Sequence, residues 1–165
     1  GADAVMLSGE TSVGKYPSEC VTFLKSIAKK TEKFRTLGYE KNFTPNSDWQ
    51  HIGVAAKNLA ETINADGIIA ITRTGKTANY ISNSKPNGIP VFTFTANKKT
   101  LNQLSLIGST VPFYLSNLSN HDKTLANVSK ILKKYYGKDK KDLKFIMVSS
   151  IFSEEHSEAI QIINI

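Results

Sequence analysis

The chain has 165 residues, 21 Lys+Arg against 14 Asp+Glu, a net charge of +7 and 40% hydrophobic side chains. That apolar share is ordinary for globular proteins and excludes a disordered chain, which lacks the side chains that offset ordering entropy. The length fits one domain of about 100–150 residues and hardly admits a second complete one. The single cysteine, Cys20, excludes a disulfide framework or a zinc cage and predicts a reducing, cytoplasmic setting. No run approaches the ~18 consecutive apolar residues of a membrane span, and no basic stretch followed by an apolar core opens the chain. It begins at Gly1 and runs straight into Ala4-Val5-Met6-Leu7, which predicts a piece of something longer.

In chain order, the run 4–7 reads as a strand and 8–17 (SGETSVGKYP) as a polar loop. A helix follows, with Pro17 in its first turn and a stripe of Val21, Leu24, Ile27 and Ala28. A lone strand cannot satisfy its backbone groups. Residues 1–12 are therefore expected to be disordered, or to pair with a neighbouring molecule or a foreign sheet edge. Residues 36–47 (TLGYEKNFTPNS), with Gly38 and Pro45, read as a connector between 1–35 and an α/β unit at 48–165.

In that unit five short apolar or β-branched runs fit strands: 68–72 (IIAIT), 91–95 (VFTFT), 111–115 (VPFYL), 145–148 (FIMV) and 160–165 (IQIINI). The last is broken by Gln161 and Asn164 and fits an edge. Between them lie helical patterns. The span 49–64 carries Ile52, Ala55, Ala56, Leu59, Ala60 and Ile63, with Ser47 or Asp48 as cap. Shorter helices fit 77–84, stopped by Pro86, and 100–107; a longer one fits 122–136, ending at Gly137. Alternating strands and helices predict an α/β fold with a mostly parallel sheet covered on both faces. The mixed-sign run 138–144 (KDKKDLK) reads as a solvated loop, and Trp49 as a packing anchor. His51, His121 and His156 lack metal-ligand spacing. The lysines are spread over several elements without an aromatic–basic motif, so the excess charge predicts a solvated surface, not a nucleic-acid partner.

Two motifs carry chemistry. Residues 3–21, DAVMLSGETSVGKYPSECV, resemble the pyruvate kinase signature D-x-V-M-L-S-G-E-T-A-x-G-x-Y-P-x-E-x-V, with matches at Asp3, Val5 to Thr11, Gly14, Tyr16, Pro17, Glu19 and Val21. Residues 72–78, Thr72-Arg73-Thr74-Gly75-Lys76-Thr77-Ala78, resemble the same family's T-x-[ST]-G-[RK]-[ST]-A turn. The resemblance implies the last strand and helix of a (β/α)8 barrel at 1–35. It also implies a C-terminal three-layer αβα sandwich at 48–165, with a five-stranded sheet whose last strand is antiparallel. The family transfers a phosphoryl group from phosphoenolpyruvate to ADP, with Mg and K bound by segments that this sequence lacks. The resemblance thus implies a catalytic parent, no bound metal in this chain, and no turnover by this chain alone. Ser8 and Glu10 are implied in a proton relay to the enolate; the same residues also fit simple loop hydrogen bonding. Where the family often has a lysine two residues after Thr11, this chain has Val13.

The turn 72–78 has physical merit of its own. A helix N-terminus, a glycine allowing close approach, a lysine and several hydroxyls make an anion site. Thr72, Thr74, Gly75, Lys76 and Thr77 would then hold the phosphate of a sugar-phosphate or nucleotide effector, as the resemblance implies for regulated members. The alternative is a strand-to-helix turn capped by Thr74 or Thr77 and holding nothing. A Walker A loop is excluded, because the glycine it needs at position 70 is alanine. The connection 149–159 (SSIFSEEHSEA) departs from the glycine-rich lid of regulated members and carries Glu154, Glu155 and Glu158, which repel phosphate. The family assembles through this domain, implying a homodimer or homotetramer. The rival to an enzyme fragment is a stand-alone module that binds a small phosphorylated ligand without catalysis.

Overall fold

The computed structural model describes residues 2–34, 43–118, 120–137, 140–149 and 159–165. They fall into two units, Gly1–Phe43 and Thr44–Ile165.

In the first unit the apolar run 4–7 is not a strand. It is irregular and leads into a single helical turn, α1 (Gly9–Ser12). The Ser8 carbonyl accepts the Thr11 and Ser12 N–H groups at 3.2 and 3.1 Å and the Thr11 hydroxyl at 3.1 Å. Those local bonds wind the chain where no ladder partner exists among the described residues. Helix α2 (Pro17–Thr31) begins with Pro17 in its first turn, as the sequence predicts, because a proline there gives up no intrahelical bond. Its apolar stripe is only partly covered among the described residues, with Leu24 and Ala28 half-buried. Val21 is 53% exposed and Phe23 69%, and no residue of α2 is buried.

The second unit runs α3 (Asp48–Thr62), β1 (Gly67–Ile71), α4 (Lys76–Asn83), β2 (Val91–Thr95), α5 (Lys98–Leu104), β3 (Thr110–Tyr114), α6 (His121–Tyr136), β4 (Lys144–Ser149) and β5 (Ala159–Asn164). The sheet order is β3-β2-β1-β4-β5. Pairings β1–β2, β1–β4 and β2–β3 are parallel, and β4–β5 is antiparallel. This is the mostly parallel, five-stranded sheet that the sequence predicts. β1, β2 and β4 are buried on both faces, save Lys144 at the start of β4, which explains their unbroken apolar runs.

Two cores make the three layers. On one face Ile68, Ala70 and Val91 meet Ala56 and Ala60 of α3, Ala78 and Ile81 of α4, and Leu104 of α5. On the other Ile69, Phe92, Phe94 and Phe145 meet Val128 and Leu132 of α6. The strand period of two divides the side chains between these faces. Trp49 packs as expected, its ring stacked on Tyr80 with centroids 6.4 Å apart.

The helix starts differ from the sequence reading. Ser47 precedes α3 without a side-chain capping bond. α5 begins two residues earlier than expected because Asn97 accepts the Lys99 and Thr100 N–H groups at 2.9 and 3.2 Å. The run 138–144 is only partly the solvated loop expected of it. Residues 138–139 lie outside the described ones, but Lys140 Nζ reaches Asp66 Oδ1 at 2.7 Å and sits 4.6 Å over the Tyr136 ring. Asp66 also accepts the Lys144 N–H at 2.9 Å, and its carbonyl accepts the Tyr136 hydroxyl at 2.5 Å. Burial pushes the Asp66 carboxyl up, yet Lys140 and the Lys144 N–H outweigh it and hold the group below its usual range.

Candidate functional site

The strand order reverses at β1. After β1 the chain moves to β2 and β3 on one side, then returns to place β4 on the other. In open α/β sheets the crevice outside the carboxyl ends of such a strand pair is the natural ligand site, because the loops leaving it diverge. The loop leaving β1 is 72–75. The loop leaving β4, including the glutamates at 154, 155 and 158, lies outside the described residues.

The β1–α4 turn is shaped from within. Thr72, 3% exposed, accepts the Gly75 N–H on its hydroxyl at 2.9 Å. Gly75 stands at the N-cap of α4 with φ +86°, a left-handed conformation that costs glycine little and other residues more. Thr74 and Thr77 do not cap the helix, and among the described residues no side chain does. The uncapped N-terminal turn is left with its positive dipole end open to an anion. Thr74 and Lys76 are exposed, whereas Thr77 is 6% exposed. The turn is braced by α5, where the Thr100 hydroxyl donates to the Arg73 carbonyl at 3.1 Å. Its neighbours add positive charge: Arg73, Lys98 and Lys99 are exposed, and neither α4 nor α5 has an acidic residue in its first turn.

The five predicted residues thus occupy one turn, though in different roles. Thr72 spends its acceptor and Gly75 its N–H inside the loop, while Thr74 and Lys76 face solvent. Thr100, which holds the loop from α5, was not picked out from sequence; a buried hydroxyl two residues inside a capped helix gives no pattern to read. In the first unit Ser8 and Glu10 are both exposed, and Ser8 engages through its carbonyl. Among the described residues no three His, Cys, Asp or Glu side chains gather as a metal ligand set.

Comparison with known proteins places this architecture. The family model for the pyruvate kinase alpha/beta domain matches residues 50–163. The chain belongs to the pyruvate kinase family. It is 33% identical over 124 residues to pyruvate kinase 2 of Synechocystis, covering 75% of this chain and 21% of that protein. It is 34% identical over 136 residues to the chloroplastic pyruvate kinase isozyme G of tobacco, covering 80% of this chain and 24% of that protein. The chain therefore spans about a quarter of the length of the curated relatives it matches. A crystal structure of a pyruvate kinase from Cryptosporidium parvum superposes with a TM-score of 0.83 over 97% of this chain and 32% of its own. At 22% identity that match speaks for the fold alone.

Proposed function

We propose that this chain is the C-terminal part of a pyruvate kinase, the glycolytic enzyme that moves a phosphoryl group from phosphoenolpyruvate to ADP to give pyruvate and ATP. Its αβα unit serves subunit assembly and takes a phosphorylated effector on the turn 72–77. The observation that carries the effector reading is the uncapped N-terminus of α4 at the sheet's switch point, with Thr74, Lys76 and Arg73 exposed beside it. Thr72 and Gly75 shape the loop, and Thr74, Lys76 and Thr77 meet the phosphate. A sugar phosphate or a nucleotide supplies the dianion that such a site favours.

Residues 1–35 take the place of the last strand and helix of the catalytic barrel, the run 4–7 becoming a strand only where the rest of the barrel supplies its ladder partners. The exposed Val5, Met6 and Phe23, at 65%, 87% and 69%, support a larger body covering them. Ser8 and Glu10 then join the relay that protonates the enolate. Mg and K belong to the intact parent. Subunits meet through β5, an edge strand whose Ile162 is 51% exposed. The parent works in the cytoplasm without nucleic acid or membrane partners. Among the described residues no helix is long and apolar enough to cross a membrane.

Calorimetric titration with a sugar bisphosphate, a sugar monophosphate and AMP tests the effector site. Heat from at least one, abolished by Lys76→Ala, is expected. No heat from any of them leaves assembly as the domain's sole role. A coupled assay for pyruvate should register no turnover by the chain alone, and measurable turnover would overturn the view of it as a catalytically incomplete part.

A further inference from the structure

The sequence holds one Asn-Gly pair, Asn87-Gly88, in the turn between α4 and β2. Both residues are exposed. Gly88 has φ +69°, and a Cβ built on it would meet nothing within 4 Å, so the space on the side-chain side of Gly88 is open. Among the described residues the Gly88 N–H has no acceptor and the Asn87 side-chain amide has no partner. Among the described residues the one bond at Asn87 runs from its own backbone N–H to Glu61 Oε1 at 3.1 Å, which holds the turn without occupying the reacting groups.

We propose that Asn87-Gly88 is a site of spontaneous backbone modification in the native protein. The Gly88 backbone nitrogen attacks the Asn87 side-chain carbonyl carbon. A new N–C bond forms, the bond to the amide nitrogen breaks, and ammonia leaves carrying the proton lost by Gly88. The resulting five-membered imide is opened by water. Attack at the side-chain carbonyl yields an ordinary aspartyl residue in place of Asn87, and attack at the main-chain carbonyl yields an isoaspartyl link. Glycine makes the step feasible because it has no Cβ to block the approach and admits the backbone angles of the ring.

Other asparagines lack this combination. Asn83 is followed by Ser84, whose N–H is spent on the Tyr80 and Ile81 carbonyls at 3.3 and 3.1 Å. Asn120 precedes His121, but its Oδ1 accepts the Lys123 N–H at 2.9 Å as a helix cap. The product matters to the fold. It adds a carboxylate beside Glu61, whose own charge is already answered by Lys57 at 3.3 Å. The isoaspartyl form also lengthens the backbone just ahead of Pro90, whose carbonyl accepts the Ile68 N–H at 2.9 Å and so begins the β1–β2 ladder.

The test incubates the folded full chain at mildly alkaline and mildly acidic pH, with peptide mass mapping and enzymatic labelling of isoaspartate. Conversion should concentrate on the peptide carrying Asn87, run several-fold faster than at any other asparagine, rise with pH and give both products. Gly88→Ala should slow it several-fold, and Asn87→Gln should abolish the label there while the chain stays folded by circular dichroism. A denatured sample supplies the reference rate. If the native chain converts at Asn87 far more slowly than the denatured one, or if another asparagine reacts as fast in the native state, the proposal is wrong.

Discussion

The Thr72 hydroxyl accepts the Gly75 N–H at 2.9 Å, so the residue just after β1 also sets the conformation in which α4 starts. Thr72→Val keeps the shape but leaves that buried N–H unanswered, at a cost of about 1–3 kcal/mol. Thr72→Ser keeps the acceptor and should cost less. Gly75→Ala fails for another reason. Its Cβ would sit at ordinary contact distance, 3.5 Å from Leu104 and Thr100, so the penalty is the backbone at φ +86°, about 1–2 kcal/mol. Urea unfolding of the three variants should separate these costs, and phosphate affinity should fall with both Thr72→Val and Gly75→Ala.

Lys76→Ala should leave unfolding unchanged to within about 0.5 kcal/mol, because the side chain is exposed and makes no ion pair among the described residues. Binding of inorganic phosphate to the parent chain should weaken as salt is raised, and the variant should lose most of that salt dependence. Equal affinity in the variant would assign the anion to the helix end without the lysine.

Asp66 gives the fold an acid limit. Its folded carboxyl lies below the ordinary value of 3.8, so the contribution is full above that value and disappears as pH falls through the lower folded one. Acid unfolding of Asp66→Asn should therefore show a shallower loss of stability below pH 3.8 than the parent chain, and Lys140→Ala should shift the parent's transition toward higher pH. At the alkaline end burial, then the Asp66 charge and Tyr135, push the Tyr136 hydroxyl up to about 12. Stability tied to the neutral phenol is complete below the ordinary 10.0 and is lost as pH rises through about 12. Tyr136→Phe should flatten that alkaline limb in a denaturation series.

β1, β2 and β4 were legible because burial on both faces writes apolar runs, and the helices because α3 and α6 repeat apolar side chains at helical spacing. The turn 72–77 was legible as a motif. The division of labour inside it was not, because whether a threonine caps, braces or faces solvent depends on partners distant in sequence, such as Thr100 on Arg73. Asp66 was missed for the same reason, since Lys140 lies 74 positions away. The run 4–7 misled because a short apolar run states what a segment would do with a ladder partner, and the described residues provide none.

Two left-handed positions give a graded stability test. Ser109 has φ +61° just before β3, and Asn64 has φ +51° just after α3. Asparagine tolerates that region because its short polar side chain bonds locally, whereas serine gains less from it. Ser109→Gly relieves the left-handed backbone strain and should stabilise by about 0.5–1 kcal/mol even after the unfolded chain gains freedom. Asn64→Gly should gain less than Ser109→Gly. The Ser109 carbonyl accepts the Val91 N–H at 2.7 Å, and that bond is made by backbone alone and survives the change. Thermal melts of the two variants decide it: a lower midpoint for Ser109→Gly would mean that the serine side chain holds the turn through a contact outweighing its backbone strain.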